Sequence, residues 1–229
     1  MFLLNMGTVS VIIGAGQSRI YARMSEKNKE GWQAEKSSRT RVAILEGAIK
    51  CYAELGYSKT TASTIVANAN VSRGAMAHHF KSLADVVHSC AVYIKDRRIA
   101  QFAEIVEQMS SEKKHTSRVR ALEAYWSWLQ TDYAYAYYEL LNVSRTQGDL
   151  KKVIIPIKAA FEDTTRELFV NYFPALNDKA EILAVTQDII QHVFDGMFLD
   201  AQLERPKKLP PNVLVFIDRW LDRLWEDYD

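Results

Sequence analysis

The sequence predicts an all-α protein, and three observations support this. Apolar residues recur at helical spacing through most of the chain, as in Leu83, Val86, Val87 and Cys90. Nine glycines and five prolines among 229 residues leave few breaks, and most lie between the periodic segments. The alternating, β-branched runs that are typical of strands are few. We therefore expect helices joined by short polar turns.

The first helix is expected from Arg41 to Leu55 and ends at Gly56. Thr60 and Thr61 follow, and their hydroxyls suit the cap of a second, short helix, because they accept from unpaired first-turn N–H groups. Asn70 suits a left-handed turn residue. Ser72 then caps a third helix whose first turn is Arg73, Gly74 and Ala75.

Small and basic residues in such a first turn allow a helix end to approach a polyanion closely. The arrangement is that of a helix-turn-helix, in which the last helix reads the DNA major groove. Residues 36–81 carry seven Lys and Arg against two Glu, a net charge of +5, whereas the whole chain is only +1. The positive charge is therefore concentrated at the end of the chain that would meet DNA.

Residues 39–87 resemble the N-terminal DNA-binding domain of the tetracycline-repressor (TetR) family. The resemblance rests on the first helix, the Gly56-Tyr57 turn, the Thr60-Thr61 cap, the Val71-Ser72 turn and the closing His79-Phe80. Ala77 and Leu83 stand where the family commonly has a tyrosine and a lysine. The resemblance implies a three-helix helix-turn-helix domain followed by a helical ligand-binding and dimerisation domain.

On this interpretation double-stranded operator DNA is a partner, and Arg73 is the candidate for a contact with guanine. The residues expected to contact or approach DNA are Thr60, Thr61, Ser72, Arg73, Gly74, Ala75, His78, His79 and Lys81.

Beyond Phe80 the pattern predicts one long helix from Ser82 to about Ser110. Five more helices are expected at about 116–130, 131–147, 149–173, 178–204 and 212–227. The expected domains are an extension over 1–37 that we expect to be disordered, the DNA-binding domain over 38–81, and an effector-binding and dimerisation domain over 82–229. Residues 137–168 and 194–200 also resemble, more loosely, the ligand-responsive domain of one group of TetR-type regulators.

Seven aromatic residues fall between Tyr125 and Tyr138, which is typical either of a helical core or of a cavity for a flat, mostly apolar small molecule. On the second interpretation an effector of unknown identity binds there. The candidate effector-binding residues are Trp126, Tyr133, Tyr137, Phe161, His192, Phe194 and Phe198.

The last two helices carry apolar residues on more than one face, which predicts a homodimer whose partner covers the second face. Met197 and Trp220 are the expected central positions. A monomer with a thicker core is the alternative.

The predicted function is a ligand-responsive, sequence-specific transcriptional regulator, a repressor released from a palindromic operator by a small molecule. The alternatives are an enzyme or carrier that uses the aromatic pocket, with a vestigial DNA-binding head, and an architectural DNA binder without a ligand. No nucleophile elbow, zinc motif or phosphate loop is present, so we expect no enzyme, cofactor or metal site. VIIGAG (11–16) imitates a dinucleotide-binding turn, but Arg19 occupies its last glycine position.

No apolar run reaches the ~18 residues of a membrane span, so we expect a cytoplasmic protein with no membrane partner. Cys51 and Cys90 lie in apolar helical patterns and are expected to be buried thiols. Residues 1–23 precede Met24 and a polar arm, and are interpreted as an upstream extension that is disordered or absent in the working protein.

Overall fold

The structure, a computed structural model, describes the backbone of residues 15–111, 114–172, 179–202 and 208–226. All regular elements within these ranges are helical, which confirms the all-α prediction. They are α1 (Ala15–Leu55), a 3₁₀ turn (Tyr57–Lys59), α2 (Ala62–Ala69), α3 (Arg73–His79), α4 (Leu83–Ser111), α5 (Lys114–Leu129), α6 (Asp132–Ser144), α7 (Gly148–Tyr172), α8 (Ala180–Ala201) and α9 (Pro211–Glu226). The predicted bounds from α2 onwards lie within a few residues of these.

The chain divides into two compact units, residues 1–42 and 43–229. In the first unit α1 begins at Ala15, well before the predicted start at Arg41, so residues 15–37 belong to a helix although disorder was expected. The sequence of residues 25–38 is rich in Glu, Lys, Gln and Ala, which have high intrinsic helix propensity. Arg39 and Glu35 form an exposed i,i+4 ion pair at 2.6 Å.

In the second unit one continuous apolar core extends from the N-terminal helices into α4 to α9. At its N-terminal end Ile44, Ile49 and Ile65 are fully buried, and Met76 and Phe80 attach α3 to the same core. At the other end Phe194 and Phe198 of α8 are fully buried. The tyrosines of α5 and α6 pack on them, with ring centroids 5.3 Å apart for Tyr125–Phe194 and 4.8 Å for Tyr138–Phe198.

Both cysteines are buried and unoxidised, as predicted. Burial raises the pKa of the Cys51 thiol, so it remains protonated at neutral pH. Its sulfur accepts from Asn68 Nδ2 at 3.3 Å, whereas Cys90 Sγ donates to the Leu45 carbonyl at 3.8 Å. Both thiols thus serve as small core residues. Within the described residues, no helix has the length and continuous apolar surface that crossing a bilayer requires.

The close approach of α1 and α2 depends on Gly47. A Cβ at this position would lie 2.8 Å from the backbone nitrogen of Ala69 and 2.9 Å from its Cβ. Both atoms belong to Ala69 of α2, and a Cβ at position 47 could be accommodated only if α2 moved away from α1. The absence of a side chain at Gly47 therefore fixes the distance between these two helices.

We predict that Gly47→Ala lowers the free energy of unfolding by about 1–3 kcal/mol through overpacking, despite the higher helix propensity of alanine. Chemical denaturation followed by circular dichroism measures the change. Gly148→Ala is the matched control, because nothing lies within 4 Å of a Cβ there. Equal stability of the two variants would contradict the close-packing role of Gly47.

Candidate nucleic-acid interface and interior cavity

The turn between α2 and α3 is fixed by local hydrogen bonds that the sequence predicts. Thr61 caps α2 by accepting from the Thr64 N–H at 3.2 Å, and Thr64 Oγ1 accepts from the Thr61 N–H at 2.9 Å in return. Asn70 adopts the left-handed conformation (φ 52, ψ 45) that reverses the chain. Ser72 caps α3 by accepting from the Ala75 N–H at 3.1 Å. The capping roles of Thr61 and Ser72 and the turn role of Asn70 are confirmed.

Thr60 does not share the capping role that the sequence suggested for it. Its hydroxyl donates to the Gly56 carbonyl at 2.8 Å, and the residue is buried. Gly56 itself has φ 78, a conformation that favours glycine. Thr60 therefore closes the turn before α2.

Helix α3 presents one polar face outward. Met76 and Phe80 anchor it in the core, while Arg73, Gly74 and His78 are exposed. Arg73 Nη2 donates to Ser63 Oγ of α2 at 2.8 Å, which leaves its other N–H groups available. The residues of this face therefore lie together on the outside of the two-helix motif.

The other predicted DNA-contacting residues surround this face. Thr61, Ser72 and Lys81 are exposed, and Ala75 and His79 are half-buried. Residues 61–82 contain no acidic side chain, so nothing within the motif opposes an approaching phosphate backbone. Leu83, at the start of α4, is 40% exposed, and Ala77 is also exposed. Both positions at which this chain differs from the TetR pattern are thus accessible.

A separate cavity of about 230 Å³ lies among α4, α5, α7, α8 and α9. Its walls are largely apolar and aromatic, with contributions from Phe102, Tyr125, Trp128, Phe161, Phe169 and Leu183. A cavity with a mostly apolar wall and polar or charged groups at particular points is the usual setting for a small-molecule ligand.

Of the seven predicted effector-binding residues, Phe161 lines this cavity. Trp126, Phe194 and Phe198 are buried in the core, Tyr137 is half-buried on α6 and His192 is exposed on α8. Tyr133 bonds to Glu46 instead. The cavity also includes three arginines that the sequence analysis did not select, Arg98, Arg118 and Arg166.

Tyr133 belongs to a polar network that joins the N-terminal helices to the remaining helices. Glu46 of α1 accepts from Tyr133 Oη at 2.7 Å and from Tyr93 Oη at 2.7 Å, and Arg97 Nη2 donates to Tyr133 Oη at 3.1 Å. Burial and the bond to Glu46 raise the pKa of Tyr93 to about 12, so its hydroxyl stays a donor at neutral pH. Glu139 of α6 also accepts from the Tyr57 N–H at 2.6 Å.

Asp195 holds a second polar cluster, in the aromatic end of the core. Its Oδ1 accepts from Tyr125 Oη at 3.1 Å and from Tyr138 Oη. Burial raises the pKa of both tyrosines. These tyrosines satisfy a carboxylate of the core, which is a structural use of polar aromatic side chains.

Among the side chains that the structure describes, no group of three or more His, Cys, Asp or Glu is arranged to hold a metal ion.

Residues 44–90 match the family described as "Bacterial regulatory proteins, tetR family". This segment begins in the second half of α1, contains α2 and α3, and ends within α4. It therefore coincides with the helix-turn-helix and its anchoring core.

Relatives and solved structures extend the similarity along the chain. Uncharacterized HTH-type transcriptional regulators of Mycobacterium tuberculosis and Mycobacterium bovis are 26% identical over 173 residues, or 72% of this chain and 83% of theirs. The structure of a TetR-family member from Streptomyces coelicolor has a TM-score of 0.56 at 19% identity and covers 81% of this chain and 97% of that one.

The multidrug binding protein EbrR, solved with ethidium, has a TM-score of 0.53 at 20% identity and covers 81% of this chain and 98% of its own. At these identities the structural neighbours establish the fold, and the family assignment rests on the helix-turn-helix segment. The helix-turn-helix segment over residues 44–90 is therefore that of the TetR family of bacterial regulatory proteins, and the chain is similar to HTH-type transcriptional regulators over 72% of its length.

Proposed function

We propose that the protein is a homodimeric repressor that binds a palindromic operator through α3 and leaves it when a small molecule enters the interior cavity. The observation that carries this proposal is the position of two consecutive arginines on α4. Arg97 bonds to Tyr133 in the network around Glu46, and Arg98 lines the cavity. Tyr93 of α4 also donates to Glu46 of α1, so α4 contacts both the DNA-binding head, which consists of the C-terminal part of α1 together with α2 and α3, and the ligand site. A shift of α4 caused by a ligand would therefore move the head.

The proposed DNA contacts follow from the exposed face of α3. Arg73 contacts a guanine edge, while Gly74 and Ala75 allow the helix to approach the bases closely. Thr61, His78, His79 and Lys81 hold phosphates, and Ser72 fixes the start of the helix. Thr60 has its role inside the turn, where its hydroxyl keeps the Gly56 carbonyl paired.

The proposed dimer interface is the outer apolar face of α8 and α9. Ile189, Val193 and Phe216 are exposed, Phe216 by 72%, and they border an apolar groove of about 610 Å³. Met197 and Trp220, which the sequence suggested as central, pack partly against the protomer's own core. Exposed apolar side chains concentrated on two adjacent helices are typical of a protein–protein interface.

Selection of binding sites from random duplex DNA tests the function. A two-headed regulator should enrich an inverted repeat with half-sites about one helical turn apart. Binding without sequence enrichment would favour an architectural DNA binder and contradict the proposal. Turnover of a bound compound would favour the enzyme alternative. EbrR is named for drug binding, and this supports testing the selected complex for release by small molecules.

Substitutions in α3 should separate base reading from phosphate contact. We predict that Arg73→Ala relaxes base preference at one position per half-site and costs about 1–3 kcal/mol per contact. Lys81→Ala should weaken binding evenly across sequences and reduce the salt slope by ~1 per half-site. Fluorescence anisotropy at several salt concentrations, with the selected operator and single-base variants, measures both. Loss of affinity by both variants without any change in base preference would disprove the assignment of Arg73.

Introduction of negative charge on the outer face should break the dimer. We predict that Ile189→Glu with Phe216→Glu gives monomers that bind the inverted repeat weakly, because the interface would bury unpaired carboxylates. Light scattering at micromolar concentration gives the mass, and a wild-type interface should bury more than ~1,000 Å². Ile155→Glu is the control, since Ile155 is also exposed but lies on α7. A wild-type protein with the mass of a single chain would rule out the dimer.

The hydrogen-bond network of Glu46, Tyr93, Tyr133 and Arg97 should couple ligand binding in the cavity to a change in the position of the DNA-binding helices. Tyr133→Phe removes the hydroxyl shared by Glu46 and Arg97 and leaves the cavity lining intact. The test uses a compound that releases operator DNA from the wild-type protein. We predict that the Tyr133→Phe variant binds this compound with an unchanged dissociation constant, measured by calorimetry, but needs a several-fold higher concentration of it to release the operator, measured by anisotropy. Tyr172→Phe, exposed at the end of α7, is the control. Equal release by Tyr133→Phe and the wild type would exclude this route of coupling.

A further inference from the structure

Three arginines, each on a different helix, line the interior cavity: Arg98 on α4, Arg118 on α5 and Arg166 on α7. Guanidinium groups donate hydrogen bonds to water when they are exposed, and an apolar cavity wall does not replace those bonds. The hydrogen-bond partners of these three groups therefore indicate which ligand the cavity accepts.

The Arg98 guanidinium lies against aromatic rings. Its Cζ is 4.0 Å from the ring centroid of Phe161, 4.3 Å from that of Trp128 and 5.4 Å from that of Tyr125. Nη2 donates to Tyr125 Oη at 3.1 Å. Among the described residues no carboxylate pairs with Arg98. Its charge is held by aromatic faces in a fixed orientation, and the nearby Asp195 carboxylate is linked to it only through the Tyr125 hydroxyl.

Among the residues that the structure describes, Arg118 and Arg166 each keep one buried nitrogen without an acceptor. Arg118 Nε and Nη2 donate to Asp218 Oδ1 at 3.1 and 2.9 Å, and Nη2 also donates to Asp222, but Nη1 has no described partner. Arg166 Nη1 lies 3.4 Å from Asp163; the side chain is 41% exposed, but its Nε is buried and has no described partner. A buried donor without an acceptor is unfavourable, and a bound anion would supply the missing acceptor.

The acidic residues of the lining do not offset this pattern. Glu162 is engaged by Lys158, and Asp188 is exposed. The lining therefore carries three guanidinium groups against these two carboxylates.

The same arrangement opposes a cationic ligand. An aromatic cation would need the faces of Tyr125, Trp128 and Phe161, and Arg98 already occupies them. Two cations on the same rings would repel each other in a region of low dielectric constant. A neutral aromatic hydrocarbon would leave the free N–H groups of Arg118 and Arg166 without acceptors, and a neutral amide would supply one uncharged acceptor oxygen where a carboxylate supplies two charged ones.

We propose that the cavity binds an organic monocarboxylate with an apolar body, whose carboxylate is held by the arginines and whose body packs on Phe102, Phe169 and Leu183. The role of this acid as the releasing ligand rests on the proposed function, whereas its binding does not. Arginine donors match the two oxygens of a carboxylate in number and geometry, and this favours the acid over other polar groups.

Isothermal titration calorimetry on the full-length protein without DNA tests the charge preference. The probes are 2-naphthoate, the neutral 2-naphthamide and the cationic 2-naphthylmethylammonium, which share one ring system, together with decanoate as an aliphatic acid. We expect at least one of the two acids to bind saturably. For the naphthalene series we expect the acid to bind at least tenfold more tightly than the amide and the cation to bind weakest.

Variants locate the effect in this cavity. Arg98→Met and Arg166→Met keep the side-chain length but remove the charge, and each should weaken binding of the acid at least tenfold while changing amide binding less than threefold. Arg118 is left intact, because it pairs with Asp218, which is only 7% exposed. Lys151→Met, on the exposed face of α7, removes the same charge away from the cavity and should leave binding unchanged. Thermal melting confirms that each variant is folded.

The outcomes distinguish ligand class from function. Tighter binding of the cation or the amide than of the acid, no saturable binding of either acid, or equal loss in Lys151→Met and Arg98→Met would overturn the proposal, even where operator binding stands. Acid binding that depends on Arg98 and Arg166 supports it. If the bound acid then fails to release the operator, the ligand class stands and the proposed release mechanism fails.

Discussion

Glu46 lies on α1 and accepts hydrogen bonds from tyrosines on two other helices, Tyr93 on α4 and Tyr133 on α6. A partly buried carboxylate is costly unless it is fully hydrogen-bonded, and here the two phenols and the nearby Arg97 meet that requirement. Because burial keeps both phenols protonated, their donor role persists at neutral pH. The position of the DNA-binding helices relative to α4 and α6 depends on this network.

A second contact restrains the same region from the turn after α1. The Tyr57 N–H donates to Glu139 of α6, and a Cβ at Gly56 would lie 3.1 Å from the same carboxylate oxygen. Two carboxylates, Glu46 on α1 and Glu139 on α6, therefore join the DNA-binding helices to the rest of the unit by directional hydrogen bonds, in addition to apolar packing. Directional bonds of this kind break or re-form when a helix shifts slightly, which suits a junction between alternative arrangements.

The aromatic residues of α5, α6 and α7 have three uses. Tyr125 and Tyr138 both donate to the half-buried Asp195, and Tyr133 bonds to Glu46 at the junction between α1 and α6. Trp128 and Phe161 face the cavity, where their rings carry the Arg98 guanidinium. An aromatic cluster in a sequence is therefore weak evidence for a ligand site, because its members can lie in different environments although they are close in the chain.

The helical class, most helix bounds and the helix-turn-helix could be predicted from the sequence, because these depend on local signals. Thr61, Asn70 and Ser72 act on backbone groups within four residues of themselves, so their residue types are sufficient to predict their roles. The start of α1 was missed, since the long polar segment before Arg41 has no apolar periodicity but consists of good helix formers. The partners of Tyr133 and Arg98 could be known only from the tertiary structure, because Glu46 lies 87 residues from Tyr133 in the chain and Tyr125 lies 27 residues from Arg98. The same is true of the positions of Arg118 and Arg166 in the cavity lining. The periodic pattern of a helix shows which face is apolar, but it does not show whether an arginine beside that face borders a cavity or solvent, because this depends on how the other helices pack.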